Sequence, residues 1–270
     1  MLDAGSMMAV FDAMLAAVHD LRLQYARGLK RLGLLGGMSS ESSIEYERLI
    51  NQLVRERLGG VASADLLIRS FNFADIEALQ QAGRWDDAGR LLAEPASNMA
   101  DGGADAIVIC TNRMHRLADA VQAAVDVPVI HIADATAAAV RLAGAEVVAL
   151  LGTRYTMEED FYVGRLRDLH GLTVLVPDEP DRTIVHDVIY QELVRGVVND
   201  RSKANYLDII DRLVARAAQG IIAGCTEIEL LIAQSDMQVP LFPTAYLHAV
   251  AAVDFALCNG PAQAATGPCE

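Results

Sequence analysis

Cysteine is scarce in this chain: four in 270 residues, at 110, 225, 258 and 269, with no C-x-x-C pair. They are too few and too scattered for a disulfide framework, and no zinc-site spacing is present. Reduced thiols in a cytoplasmic protein are the simplest expectation. Positive charge is short too. Twenty-two Lys and Arg against 36 Asp and Glu leave a formal charge of −14, so no basic groove is available for a nucleic-acid backbone. No apolar run approaches the roughly 18 residues of a membrane span. The apolar opening is broken by Asp3, Asp12, His19 and Asp20, which argues against a cleavable signal sequence. Finally, Gly36-Gly37-Met38-Ser39-Ser40 fits neither the dinucleotide fingerprint nor the P-loop, leaving nucleotide binding unsupported.

What the chain does have is apolar residues, 53% of the total, enough for a substantial core in one large domain or two ordinary ones. It also has an internal duplication. Leu32-Gly33-Leu34-Leu35-Gly36-Gly37 is echoed by Val148-Ala149-Leu150-Leu151-Gly152-Thr153, 116 residues later. Ala106-Ile107-Val108-Ile109-Cys110-Thr111 is echoed by Ile221-Ile222-Ala223-Gly224-Cys225-Thr226, 115 residues later, and Val127-Pro128-Val129-Ile130 by Val239-Pro240-Leu241-Phe242, 112 residues later. A near-constant offset over three landmarks implies two similar halves. We read an N-terminal helical extension over 1–30, lobes over 31–143 and 144–258, and a tail over 259–270, with an amphipathic helix within 8–29.

Within each half, short apolar runs alternate with helical stretches. Strands are expected near 31–35, 65–70, 105–110 and 127–131, then near 146–151, 172–176, 219–223 and 239–242. Helices are expected near 41–57, 86–101, 113–124 and 134–143, then near 157–169, 184–196, 202–218, 226–233 and 244–257. Nearly all-apolar strands in βα alternation mean parallel sheets covered on both faces. The expected fold is α/β: two parallel-sheet lobes related by a pseudo-twofold axis, with the active site in the cleft between them.

Cys110 and Cys225 each follow a buried strand and precede a helix, at the strand ends where such sheets bind ligands. A helix start would favour thiolate there. Either cysteine alone would be read as core filling; two Cys-Thr pairs at the same junction are not explained that way. Facing thiols suit inversion of a stereocentre, one taking a proton from one face and the other returning one to the opposite face. Thr111, Asn112 and Thr226, with helix-start amides, make a cradle for a small carboxylate, although the same residues also serve as ordinary helix caps. His115 could pair with Cys110, but a helix turns it away. Buried, hydrogen-bonded roles are expected of His131 and His248. Glu227 either tunes Cys225 or caps a helix.

Between Leu32 and Ala256 the sequence resembles the aspartate/glutamate racemases. The motifs are Gly36-Gly37-Met38-Ser39, Cys110-Thr111-Asn112-Arg113-Met114-His115 and Gly224-Cys225-Thr226-Glu227-Ile228. The resemblance implies racemisation of a small amino acid without metal, nucleotide or pyridoxal phosphate, with Cys110 and Cys225 as the two bases. It also implies substrate contacts at Met38, Gln80, Thr111, Asn112 and Thr226, and a homodimer. Three positions depart from the family pattern. Arg113 replaces a small threonine, Ile184 stands where some members carry lysine, and Pro243 where aspartate is frequent. Arg113 is therefore read as a substrate-binding residue, able to replace the lysine's grip on a distal carboxylate. The competing readings are a cysteine-dependent isomerase or decarboxylase of a small dicarboxylate, and a binding homologue without turnover.

Overall fold

The computed structural model describes residues 29–258. The helix expected within 8–29 and the tail at 259–270 lie, but for Leu29, outside the described residues. Strands β1 (Leu32–Gly36), β2 (Leu66–Ser70), β3 (Ala106–Ile109) and β4 (Val129–Ile130) pair in the order β2-β1-β3-β4. Strands β5 (Val147–Leu151), β6 (Thr173–Leu175), β7 (Ile221–Ala223) and β8 (Leu241–Pro243) repeat it as β6-β5-β7-β8. Every pairing is parallel. β1, β3 and β7 are buried along their whole length and carry no polar side chain, as strands covered on both faces must be.

The duplication extends to hydrogen bonds. Ile107 N–H donates to Pro128 O at 2.9 Å, and Ile221 N–H to Pro240 O at 2.8 Å. Gln122 closes the turn before β4, its Oε1 accepting from Val129 N–H at 2.8 Å while its Nε2 donates to Val127 O at 3.1 Å. Gln234 does the same before β8, with Leu241 N–H and Val239 O at the same two distances.

The helices are α1 (Ser40–Leu58), α2 (Phe73–Gln81), α3 (Trp85–Asp101), α4 (Ala118–Gln122), α5 (Ile132–Leu142), α6 (Arg154–Glu158), α7 (Asp160–Asp168), α8 (Asp181–Gln191), α9 (Asp200–Ala215) and α10 (Thr244–Leu257). Several differ from expectation. The stretches after the two cysteines begin as five-residue 3-10 helices, Arg113–Leu117 and Thr226–Leu230. The helix expected over 157–169 breaks at Glu159, whose backbone is extended and whose carboxylate pairs with Arg116 of the first lobe. Helix α2 was not anticipated, because only Ile76 of its nine residues is buried and its apolar stripe is thin.

The lobes also exchange helices. Ile132, Ala133, Ala137 and Val140 of α5 sit in the core of the second lobe, with Val148, Leu150 and Leu166. Ala245, Ala249, Ala252 and Val253 of α10 complete the core of the first, with Leu32, Ile50 and Val108. The two exchanged helices pack against each other and against the lobe opposite their own strands. This interlock holds the carboxyl ends of β3 and β7 in a common region. No helix among the described residues is long and apolar enough to cross a membrane.

Candidate active site

On the first side, Cys110 prolongs β3 by one residue, its N–H donating to Leu35 O at 2.9 Å. Its side chain is 2% exposed, and Sγ lies 3.8 Å from Val108 O. Asn112 crosses to the other lobe: its Nδ2 donates to Thr244 Oγ1 at 3.0 Å, and that hydroxyl donates on to Ala223 O, the end of β7, at 2.8 Å. Asn112 Oδ1 is buried with no protein partner. Arg113 is half-buried. Its guanidinium lies 3.6 Å from the Tyr155 ring centre and 5.6 Å from that of Trp85, and its Nε is buried without a hydrogen-bond partner. The charge of Arg113 also acts on the Tyr190 hydroxyl, which lies within electrostatic reach of Cys225.

On the second side, Cys225 follows β7 and precedes the 3-10 turn. Its thiol donates to Glu227 Oε2 at 2.8 Å, and the Thr226 hydroxyl donates to the same oxygen at 2.8 Å. Ser42, in the first turn of α1, lies 3.0 Å from Thr226 Oγ1. Since the Thr226 proton goes to Glu227, Ser42 is the donor in that contact.

These surroundings overturn the expected thiolates. Burial pushes the Cys110 thiol strongly upward. Cys225 is pushed up by burial first, then by the charge of Glu227 and the hydrogen bond to it. Backbone N–H groups of Thr226 and Glu227 pull downward, as a helix start should, but are outweighed. Burial thus biases both cysteines toward the thiol form. The expectation of four reduced cysteines also fails, because Cys258 at the end of α10 is disulfide-bonded while Cys110 and Cys225 are free.

Three histidines pack together in a buried layer. His115 Nδ1 donates to Thr111 O at 2.7 Å, and its Nε2 accepts from Ile132 N–H at 3.2 Å. Its ring centre lies 4.6 Å from that of His131 and 5.2 Å from that of His248. Burial holds all three neutral, with His131 lowered to about 2 and His248 to about 4. Both ring nitrogens of His115 are thus committed to the backbone, and the ring positions Thr111 and the start of α5. Among the described residues no group of three or more His, Cys, Asp or Glu is arranged to hold a metal. A surface hollow of about 540 Å³ between β2 and α3, lined by Leu67, Phe71, Pro95 and Met99, contains neither cysteine.

The family model for Asp/Glu/hydantoin racemases matches residues 35–252. A crystal structure from Yersinia pestis assigned to the Asp/Glu racemases is 48% identical, covers 85% of this chain and all of its own, and superposes with a TM-score of 0.83. The chain belongs to the Asp/Glu/hydantoin racemase family. An aspartate racemase homologue from Pyrococcus horikoshii is 31% identical over 84% of this chain and 99% of its own, with a TM-score of 0.77. Glutamate racemase from Francisella tularensis, solved with D-glutamate, shares the fold at 15% identity and a TM-score of 0.56, over 83% of this chain and 79% of its own.

In this racemase-family chain the structure places the expected contact residues unequally. Thr111, Asn112, Arg113 and Thr226 flank the two cysteines. Met38 is 4% exposed within the first-lobe core. Gln80, on the unanticipated α2, donates to Met114 Sδ at 3.0 Å. Ile184 is half-buried against the second-lobe core. Sequence reasoning missed Ser42, Tyr155, Tyr190 and Thr244, which lie far from the cysteines along the chain and are brought in by helix starts and packing. Ser39, which caps α1 by accepting from Ser42 N–H, was the one local signal that Ser42 opens a helix.

Proposed function

We propose that the chain is a cofactor-independent amino-acid racemase in which Cys110 and Cys225 are the two bases. One removes the α-proton of a small amino acid as thiolate, and the other protonates the opposite face of the carbanion as thiol. The observation that supports this reading is the pair of Cys-Thr junctions at equivalent strand ends, tied across the lobes by the Ser42–Thr226 and Asn112–Thr244 hydrogen bonds. Thr111, Asn112 and Thr226 hold the substrate carboxylate and ammonium groups, with Met38 and Gln80 bounding the pocket. Arg113 grips a distal carboxylate. In its favour are the buried, unpartnered Nε and the aromatic rings of Tyr155 and Trp85 that hold the guanidinium plane in place. The working assembly is a homodimer in the cytoplasm.

The test is a chiral screen of the common L- and D-amino acids with purified protein in deuterated water. Deuterium at the α-carbon together with loss of optical purity is the expected result, and activity should survive EDTA and hydroxylamine. Tight amino-acid binding with no exchange would leave a binding protein, and turnover restored by added pyridoxal phosphate would refute cofactor independence.

A further inference from the structure

Cys225 and Cys110 occupy equivalent places, yet only one has a carboxylate on its sulfur. The residue two beyond Cys110 is Asn112, committed to Thr244 across the lobes. The residue two beyond Cys225 is Glu227, whose Oε2 accepts from Sγ at 2.8 Å and from Thr226 Oγ1 at 2.8 Å. Proton directions are set along the whole chain of contacts. Ser42 donates to Thr226, Thr226 donates to Glu227, and among the described residues the other donor to that oxygen is the Cys225 thiol. If Glu227 only capped the turn, its oxygen would be bonded to backbone N–H; both its side-chain bonds go instead to Thr226 and to a candidate base.

We propose that Glu227 is a catalytic residue, the local proton acceptor and donor for Cys225. This inference rests on the racemase reading. The S–H bond of Cys225 breaks, its proton passes to Oε2, and the electron pair remains on sulfur as thiolate. That thiolate takes the α-proton and becomes thiol again, while Cys110 gives its proton to the opposite face and becomes thiolate. Glu227 then returns its proton to water and Cys110 regains one, so no proton is gained or lost over the cycle. The two halves of the site are thereby unequal: Cys225 exchanges its proton with a carboxylate, Cys110 with none.

Other titratable groups around this pair do not substitute for Glu227. Tyr190 on α8 and Tyr206 on α9 lie within electrostatic reach of Cys225, and burial holds both hydroxyls protonated. Tyr206 is committed to Val185 O at 2.9 Å, and Glu192 acts on it from the end of α8. Glu229, on the same turn, is crowded by Glu45 of α1 rather than set against sulfur. Arg113 reaches the region through Tyr190.

Since the equilibrium constant of a racemisation is one, kcat/KM cannot differ between the two directions, and each face must be read separately. In a Cys110→Ala protein, Cys225 alone should exchange the α-proton of one enantiomer into deuterated water without inversion. Adding Glu227→Gln should slow that exchange about 10²–10⁴-fold, the range of a lost acid–base partner. The deficit should shrink as pH rises and hydroxide forms the thiolate directly. Glu227→Asp should recover part of the rate. In a Cys225→Ala protein, Cys110 should exchange the other enantiomer, and Glu227→Gln should slow that exchange by a much smaller factor, the share that comes from releasing Thr226. Equal loss in both backgrounds, or a deficit independent of pH, would overturn the proposal. A second readout needs no turnover: the pH midpoint for iodoacetamide labelling of Cys225, followed by peptide mass. Removing the adjacent negative charge should lower it by about one pH unit or more in Glu227→Gln. An unmoved midpoint overturns the pairing. If the wild-type protein exchanges no amino acid, the racemase reading fails and the catalytic role of Glu227 with it, while the labelling midpoint still decides the Cys225–Glu227 pairing.

Discussion

Stability should fall with pH between about 6.5 and 4 because His248 cannot be charged in place. The ring is fully buried, and both its nitrogens are committed: Nε2 lies 2.7 Å from Ile130 O and Nδ1 2.8 Å from the Tyr46 hydroxyl. A carbonyl only accepts, so Nε2 carries the hydrogen and Nδ1 accepts from Tyr46. Protonating Nδ1 would break that bond and place a charge in the core. Accordingly burial lowers the residue from 6.5 to about 4, opposed by the hydrogen bond to Ile130 and the charge of Asp134. The unfolded chain takes up the proton first, so the contribution is complete above pH 6.5 and lost on acidification until about pH 4. At 1.36 kcal/mol per pH unit the whole loss is about 3 kcal/mol, of which about 2 kcal/mol falls by pH 5. His115 and His131 act in the same sense. Glu229, a surface carboxyl pushed upward by desolvation and then by Glu45, acts in the opposite one, so a wild-type curve alone does not isolate His248. The assay is urea unfolding of wild type and His248→Gln at about pH 7, 6 and 5. Glutamine offers a donor and an acceptor but no titrating proton. The variant should be less stable at pH 7 and lose about 2 kcal/mol less than wild type on reaching pH 5. Parallel pH dependences in the two proteins would refute the reasoning.

Cys110→Ala and Cys225→Ala should each lower racemisation about 10²–10⁴-fold or more while circular dichroism is retained; wild-type turnover in either would sink the two-base mechanism. Arg113→Thr should raise KM for aspartate or glutamate by the equivalent of about 1.5–3 kcal/mol, the worth of a charged hydrogen bond, and leave neutral amino acids unaffected. Unchanged kinetics with acidic substrates would remove the clamp. Gly37→Ala should abolish folding or cost several kcal/mol, about 3 or more, in urea unfolding. Its φ is +79°, and an added Cβ would lie 2.3 Å from both the N and the O of Phe71. A soluble variant of near wild-type stability would contradict that geometry.

Periodicity and repetition are local properties, so the chain's own pattern determined a great deal. Apolar runs of strand length, spaced by helical stretches and repeated at offsets of 112 to 116, placed all eight described strands, made their pairing parallel and put both cysteines at strand ends. The Cys-Thr junctions pointed to proton transfer before any contact was known. Contacts between distant residues were decided only by tertiary packing. The exchange of α5 and α10 leaves no periodic trace, since an apolar stripe does not say which lobe covers it. Ser42 and Thr226 stand 184 residues apart, Asn112 and Thr244 132 apart, and their meeting follows from how the lobes interlock. The protonation states needed the structure most. The helix-start amides that the sequence implied do pull the Cys225 thiol downward, but burial and the neighbouring Glu227 carboxylate prevail. Desolvation depends on everything surrounding a group, and a linear pattern carries only what lies on either side of it.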